Sequence, residues 1–266
     1  MTSQEAAGGD SAEILIDTAG AVATVTLNRP KARNALTFEM YDGLAAFCRG
    51  VDPDGPIKAV IVTGAGERAF AAGTDIAQFR DFRSEKDALA YEERVEGVLS
   101  AIETCPVPTI AAIAGACTGG GAGIATACDL RIAARNAKFG FPIAKTLGNC
   151  LSIENYARLA ALIGAGRVIE MIFTARLLEA EEARAAGLVS EVLDDHQALM
   201  ARASELARTL AGHAPLTLRA TKEALRRIRH GRADGDDLVA MCYTSADFRE
   251  GVEAFLEKRP AEWKGR

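Results

Sequence analysis

The stretch at residues 107–127 constrains this chain most: an apolar run containing Val107, Ile110 and Ile113 passes directly into a loop carrying Gly115, Gly119, Gly120, Gly121 and Gly123, with alanines between. No apolar run in the chain approaches the roughly 20 residues needed to cross a bilayer, and here the glycines interrupt it. It therefore reads as a buried strand that leaves into a glycine loop and a short buried helix. The same order of events occurs earlier, where Ile57-Lys58-Ala59-Val60-Ile61-Val62-Thr63 runs into Gly64-Ala65-Gly66. A further strand follows at Leu130-Arg131-Ile132-Ala133. Strand, loop, helix and strand in alternation imply an α/β fold with a mainly parallel sheet. The echo between residues 64 and 115 points to successive turns of a right-handed ββα coil.

The rest of the chain fits around that centre. Alternation at residues 13–16 and 21–27, with Ala19-Gly20 between, predicts two strands joined by a tight turn. From Thr37, a plausible N-cap, apolar residues recur at Phe38, Tyr41, Leu44, Ala45 and Cys48 with helical spacing. Residues 85–104 predict another helix, closed by Pro106. Beyond about residue 154 strand signals fade, and helices are predicted at 154–163, 179–186, 196–210, 215–229 and 236–258. The expected organisation is a flexible N-terminus at 1–11, a core at 12–202 and a C-terminal helical segment at 203–266.

Composition excludes several classes. At 266 residues, 49% apolar and 25% charged, the chain is an ordinary globular protein. A net charge of −5 argues against a nucleic-acid surface, so any anionic ligand must be met by local charge. The six cysteines show no C-x-x-C pair and no adjacent histidine, which predicts buried free thiols and no metal site. Residues 1–11 lack the basic and apolar regions of a secretion signal, so a cytoplasmic location is expected, with no membrane partner. His196, His213 and His230 all fall in the helical segment and read as surface or capping residues.

Two loops carry a family resemblance. Phe70-Ala71-Ala72-Gly73-Thr74-Asp75-Ile76 resembles the F-x-A-G-x-D-[IL] loop of the crotonase (enoyl-CoA hydratase/isomerase) superfamily. Ala114-Gly115-Ala116-Cys117-Thr118-Gly119-Gly120-Gly121 resembles its N-G-x-x-x-G-G-G loop. The opening Leu27-Asn28-Arg29-Pro30-Lys31-Ala32-Arg33-Asn34-Ala35-Leu36 and the closing 250–260 segment match its L-N-R-P-x-x-x-N-A-L and E-G-x-x-A-F-x-x-K-R-x signatures. The resemblance implies a crotonase-type repeated ββα coil with a helical oligomerisation segment, acting on acyl-CoA thioesters. It implies no cofactor beyond the coenzyme A of the substrate, a place in fatty acid metabolism, and a homotrimer or dimer of trimers. By motif match, the backbone amides of Ala72 and Gly120 would form an oxyanion hole for a thioester enolate. Two fixed N–H donors stabilise such an oxygen without reorganising, and a helix starting at Gly120 adds its positive end. Lys31, Ala32 and Arg33 would line the nucleotide and pantetheine, with Thr74 and Asp75 flanking the pantetheine turn. Phe255 and Lys258 match a pair that reaches a neighbouring subunit's nucleotide.

Hydration of an enoyl thioester uses two facing carboxylates. The resemblance places them at Gly123 and at Ile143, which follows Phe139-Gly140-Phe141-Pro142. No Asp or Glu lies between Ala114 and Cys128, or between Asn136 and Ser152. The expectation is an acyl-CoA lyase or isomerase without the usual pair, or an acyl-CoA-binding relative with another activity or none. The stretch 145–152, with Glu154 and Tyr156, offers replacement groups, although Asn149 and Ser152 also suit helix capping. A nicotinamide reading of Gly64-Ala65-Gly66-Glu67-Arg68-Ala69 is weakened because Gly73 interrupts the helix that should follow. No G-x-S-x-G elbow supports a serine hydrolase.

Overall fold

A computed structural model describes residues 12–266, so the N-terminus expected to be flexible lies outside the described residues. Strands β1 (Ile14–Ala19) and β2 (Val22–Leu27) form the expected hairpin, with Ile14 opposite Leu27 and Gly20 at φ 61° in the turn. Strand β2 pairs in parallel with β3 (Ala59–Gly64), followed outward by β5 (Thr109–Ile113), β7 (Leu130–Ala134) and β10 (Glu191–Leu193) in a six-stranded sheet. A second, four-stranded sheet stacks the short strands β4 (Ala69–Ala71), β6 (Ala116–Thr118), β8 (Lys138–Gly140) and β9 (Leu178–Glu179).

Each turn of the coil is therefore a long strand, a short strand and a helix. The first ends in α2 (Glu85–Glu103), the second in α3 (Gly120–Ala127) and the third in α4 (Ile153–Ile163). Successive turns touch at their corners. Gly115, at φ 63°, lies so close to the preceding turn that a Cβ would overlap the Arg68 carbonyl, so only glycine fits. Ahead of these turns, α1 (Phe38–Gly50) starts where Thr37 Oγ1 accepts from Met40 N at 3.2 Å.

The period-2 alternation of the strands divides the core. Val25, Leu27, Val60, Val62, Ala111, Ile113 and Ala133 pack with α1, α2 and α3. The alternate residues Val22, Ala59, Ile61, Ile110, Ala112, Ile132 and Ala134 pack beneath α7 (His196–Ala211), against Leu199, Ala203 and Ala207. Burial on both faces explains why β3 and β5 are apolar at nearly every position. The boundary expected at 202/203 falls within α7, and α7 as a whole covers the sheet.

The chain departs from expectation elsewhere too. Helices α5 (Ala165–Thr174) and α6 (Ala180–Ala185) lead into α7, and α5 was not predicted. Helix α8 (Pro215–Arg229) has the expected bounds. The single helix expected at 236–258 is two, α9 (Asp236–Tyr243) and α10 (Ala246–Glu257), because Ser245 caps the second by accepting from Phe248 N at 2.9 Å. Strands β9 and β10 lie beyond residue 154, where none was predicted. Four of the six free cysteines are buried, whereas Cys150 is exposed and Cys242 half-buried. Among the described residues no helix is long and apolar enough to cross a membrane.

Candidate functional site

A cavity of about 200 Å3 opens at the start of α3, where the three turns of the coil meet. Its walls come from the 72–79 loop, one side of α2, the glycine loop, the short 3-10 turn Pro142–Ala144 and the head of α4. Two loops meet there almost without side chains: a Cβ on Gly119 would lie 3.4 Å from Gly73 Cα. A Cβ on Gly120 would run into the Tyr41 hydroxyl, and one on Gly121 into Ala71.

The directions of the backbone N–H groups follow from this crossing. Leu36 and Thr74 form a parallel bridge, in which Leu36 N donates to Gly73 O and Asp75 N donates to Leu36 O, both at 2.8 Å. A residue bridged in this way turns its own N–H toward the opposite edge. Thr74 N–H thus faces away from Leu36, and no acceptor meets it among the described residues. Ala72 N–H, by contrast, donates to Arg33 O at 3.1 Å. The expectation that Ala72 offers the free donor is corrected: its amide is committed to the 29–36 loop, and the unpartnered amide is two residues on. Gly119 N donates to Gly140 O at 3.1 Å, whereas Gly120 N, the first of α3, has no acceptor among the described residues. The cavity is therefore faced by two orphan donors, from Thr74 and Gly120, beside the positive end of a helix.

Side chains hold the Thr74 turn in place. Its Oγ1 lies 2.9 Å from the Tyr41 hydroxyl and 2.7 Å from that of Tyr91, linking α1, the loop and α2. Burial pushes the phenols of Tyr41 and Tyr91 above their ordinary range, so both stay neutral. Asp75 accepts from Ala77 N at 3.1 Å and pairs with Arg29 at 2.9 Å. The Arg29 guanidinium, seconded by the Ala77 amide, holds the Asp75 carboxyl below the usual range. Asp75 is thus a loop-shaping acceptor.

The other predicted residues divide between the cavity and its surroundings. Gly123 and Ile143 both line the cavity. A Cβ on Gly123 would find 3.5 Å to Leu99 Cδ1 and 3.7 Å to Asn155 Oδ1, ordinary contacts that leave room for a side chain. Lys31, Ala32 and Arg33 are exposed on the 29–36 loop and do not line the cavity. Phe255 and Lys258 are exposed at the end of α10 and do not line it either. Of the 145–152 stretch, Thr146, Leu147, Asn149, Cys150 and Leu151 form part of the rim, whereas Ser152 caps α4 by accepting from Asn155 N at 3.2 Å.

Three polar wall residues were not singled out from the sequence: Tyr91, Glu92 and Asn155. A signal for Glu92 was present, since it falls three and seven residues before Val95 and Leu99, on the buried stripe of α2. Burial first, and then the neighbouring Glu96, push its carboxyl above the ordinary glutamate range, against the pull of a hydrogen bond from the Ser152 amide. Asn155 is 4% exposed, and its Oδ1 meets no donor among the described residues.

A coil of ββα turns with a donor-lined cavity between them is the architecture of acyl-CoA-handling folds, and the comparisons agree. The Enoyl-CoA hydratase/isomerase family profile matches residues 17–266. The chain is 35% identical to a short-chain-enoyl-CoA hydratase of Clostridium acetobutylicum, over 94% of this chain and 96% of the relative. It is 33% identical to a crotonyl-CoA hydratase of Syntrophomonas wolfei, over 94% and 97%. Among solved structures, an enoyl-CoA hydratase/carnithine racemase from Magnetospirillum magneticum superposes with a TM-score of 0.88 at 35% identity, over 97% of each chain. An enoyl-CoA hydratase from Bacillus anthracis gives 0.85 at 32%, over 96% and 100%. The chain belongs to the enoyl-CoA hydratase/isomerase family. It is an acyl-CoA thioester-processing enzyme of hydratase/isomerase type.

Proposed function

We propose that the thioester carbonyl oxygen rests between the amides of Thr74 and Gly120, and that the reaction runs through an enolate without the pair of hydratase glutamates. The observation that carries this reading is the presence of two orphan N–H groups, from separate turns of the coil, on one small cavity. Each such donor, removed in other enzymes, costs about 3–4 kcal/mol of barrier. Gly123 and Ile143 occupy the positions of the two glutamates, and neither can exchange a proton. The favoured chemistry is therefore proton removal and return next to the thioester, as in double-bond isomerisation, instead of addition of water by paired carboxylates.

Coenzyme A would extend from the cavity past Thr74 and Asp75 toward Lys31, Ala32 and Arg33, with the charges of Lys31 and Arg33 meeting its phosphates in a protein of net charge −5. Phe255, 83% exposed, and Leu256, 74% exposed, leave an apolar side of α10 uncovered. This supports a homotrimer or dimer of trimers in which Phe255 and Lys258 serve the neighbouring subunit's nucleotide. A role in fatty acid metabolism in the cytoplasm suits such an enzyme. A screen of enoyl-, dienoyl-, malonyl- and aryl-CoA thioesters by liquid chromatography coupled to mass spectrometry tests the reading, with conversion to a product of shifted retention and unchanged mass expected. Fast hydration of a crotonyl thioester would refute the role given to Gly123 and Ile143. Failure to bind any thioester would refute the oxyanion hole.

A further inference from the structure

The cavity has one carboxylate among the described residues that line it, and that carboxylate comes from a helix where no acid was expected. Three glutamates, Glu92, Glu96 and Glu103, point the same way along α2 at spacings of four and seven residues. Two are neutralised. Glu96 takes Arg158 Nη1 at 2.8 Å, and Glu103 takes Arg158 at 2.9 Å and Arg229 at 2.7 Å. Glu92, one turn nearer the cavity, meets no cation among the described residues and is half-buried. A structural carboxylate on a buried stripe is ordinarily paired, and an unpaired one in a cleft is a functional candidate.

A second observation comes from α4. The Oδ1 of Asn155 is buried without a donor and lies beside the space that Gly123 leaves open. A buried acceptor of this kind calls for a donor from outside the fold, a ligand or an ordered water.

Resting on the oxyanion reading of Thr74 and Gly120, we infer that Glu92 is the residue that moves the proton at carbon α of the bound acyl-CoA. Its carboxylate removes the proton, and the C–H electron pair becomes the C=C bond of the enolate. The carbonyl π pair then moves onto the oxygen held by the two amides. The protonated carboxyl returns the proton to carbon α, giving exchange, or to carbon γ of a β,γ-unsaturated chain, giving isomerisation. No other reactant is consumed. The polar and titratable groups around Glu92 are Tyr41 on α1, Tyr91 and Glu96 on α2, and the Ser152 amide at the head of α4. Burial first, and then Glu96, disfavour its charge against the pull of the Ser152 amide, which suits a group that must hold the proton for part of the cycle.

Solvent deuterium exchange at carbon α of a saturated acyl-CoA, followed by mass spectrometry, tests this in the full-length protein. In parallel, the red shift of a bound aryl-acryloyl-CoA chromophore reports the oxyanion hole. Glu92→Gln is expected to slow exchange by about 100-fold or more, to leave the red shift in place, and to abolish the rise of the exchange rate with pH. Glu92→Asp should restore part of the rate. Exchange in Glu92→Gln within about threefold of the parent, an ordinary margin for a residue outside the chemistry, overturns the role of Glu92. Absence of the red shift in the parent protein overturns the oxyanion reading instead. Should Glu92→Gln not fold, the parent's pH profile decides: a limb rising through a carboxyl pKa above the ordinary glutamate value supports Glu92, and a flat profile overturns it.

Discussion

Replacing Arg158 with leucine would test how the two helices that frame the cavity are held. Its side chain is 2% exposed and reaches from α4 to two glutamates on α2, with Glu103 11% and Glu96 27% exposed. Removing one partner of a buried charge network costs about 3–5 kcal/mol, because the carboxylates left behind are desolvated without compensation. Two features place this case at the lower end. Glu103 keeps Arg229 at 2.7 Å, so only Glu96 loses its sole cation among the described residues. Arg158 Nε also has no acceptor among the described residues, and its removal relieves a penalty of about 1–3 kcal/mol. The expected loss in Arg158→Leu is about 3 kcal/mol, or roughly 6–12 °C in Tm for a chain of this size. Urea unfolding would measure it, with the m-value unchanged if the native and denatured ensembles keep their compactness. Adding Glu96→Gln should recover at least about 1 kcal/mol, because a neutral amide has no charge to strand. A loss below about 1 kcal/mol, typical of an exposed pair, or strict additivity of the two substitutions, would refute the reasoning. Asn155 lies one turn before Arg158, and Glu92 one turn before Glu96, so the same variant should also lose turnover.

Gly120→Ala should destabilise the protein by about 1–3 kcal/mol through overpacking against Tyr41 and cut turnover by about 100-fold or more; Gly120→Ala with Tyr41→Phe should recover stability in urea unfolding, and no recovery would argue against the clash. Asp75 has a depressed folded-state pKa, so its stabilisation is present above the unfolded carboxyl value and is lost as pH falls through the folded one. Asp75→Asn should accordingly cost up to about 1 kcal/mol at neutral pH, with the gap to the parent closing below about pH 4 in unfolding measured across pH. Lys31→Ala and Arg33→Ala should raise KM for a CoA thioester more than they lower kcat and weaken its salt dependence; unchanged salt dependence in steady-state assays would remove them from the nucleotide site.

Much of the fold was legible because local rules and global packing agree. Ala19-Gly20 marks the hairpin, Thr37 caps α1, and the glycines at 64 and 115 mark the corners of the coil. What escaped was set by distant neighbours. Strands β4, β6 and β8 have three residues each, too few for any alternation to register, and exist because successive turns stack. Helix α5 begins behind Gly164 at φ 78° and carries Gly166 in its first turn, two glycines that hide the helix in the sequence. The break before α10 was visible in Ser245, a good capping residue inside a long helical pattern. The donor at residue 74 could not be told from one at residue 72 by motif alone. The bridge between Leu36 and Thr74 decides which peptide turns inward, and it joins segments far apart in sequence.

The near contact of Gly73 with Gly119 separates two jobs within the pocket. In the proposed reading, what would grip the thioester is main chain, fixed by the crossing of two coil turns and indifferent to most side-chain replacement, and what would handle protons is carried by side chains on independent helices. Such a frame lets point substitutions on α2, α3 or α4 redirect the reaction while the hold on the acyl group stays the same.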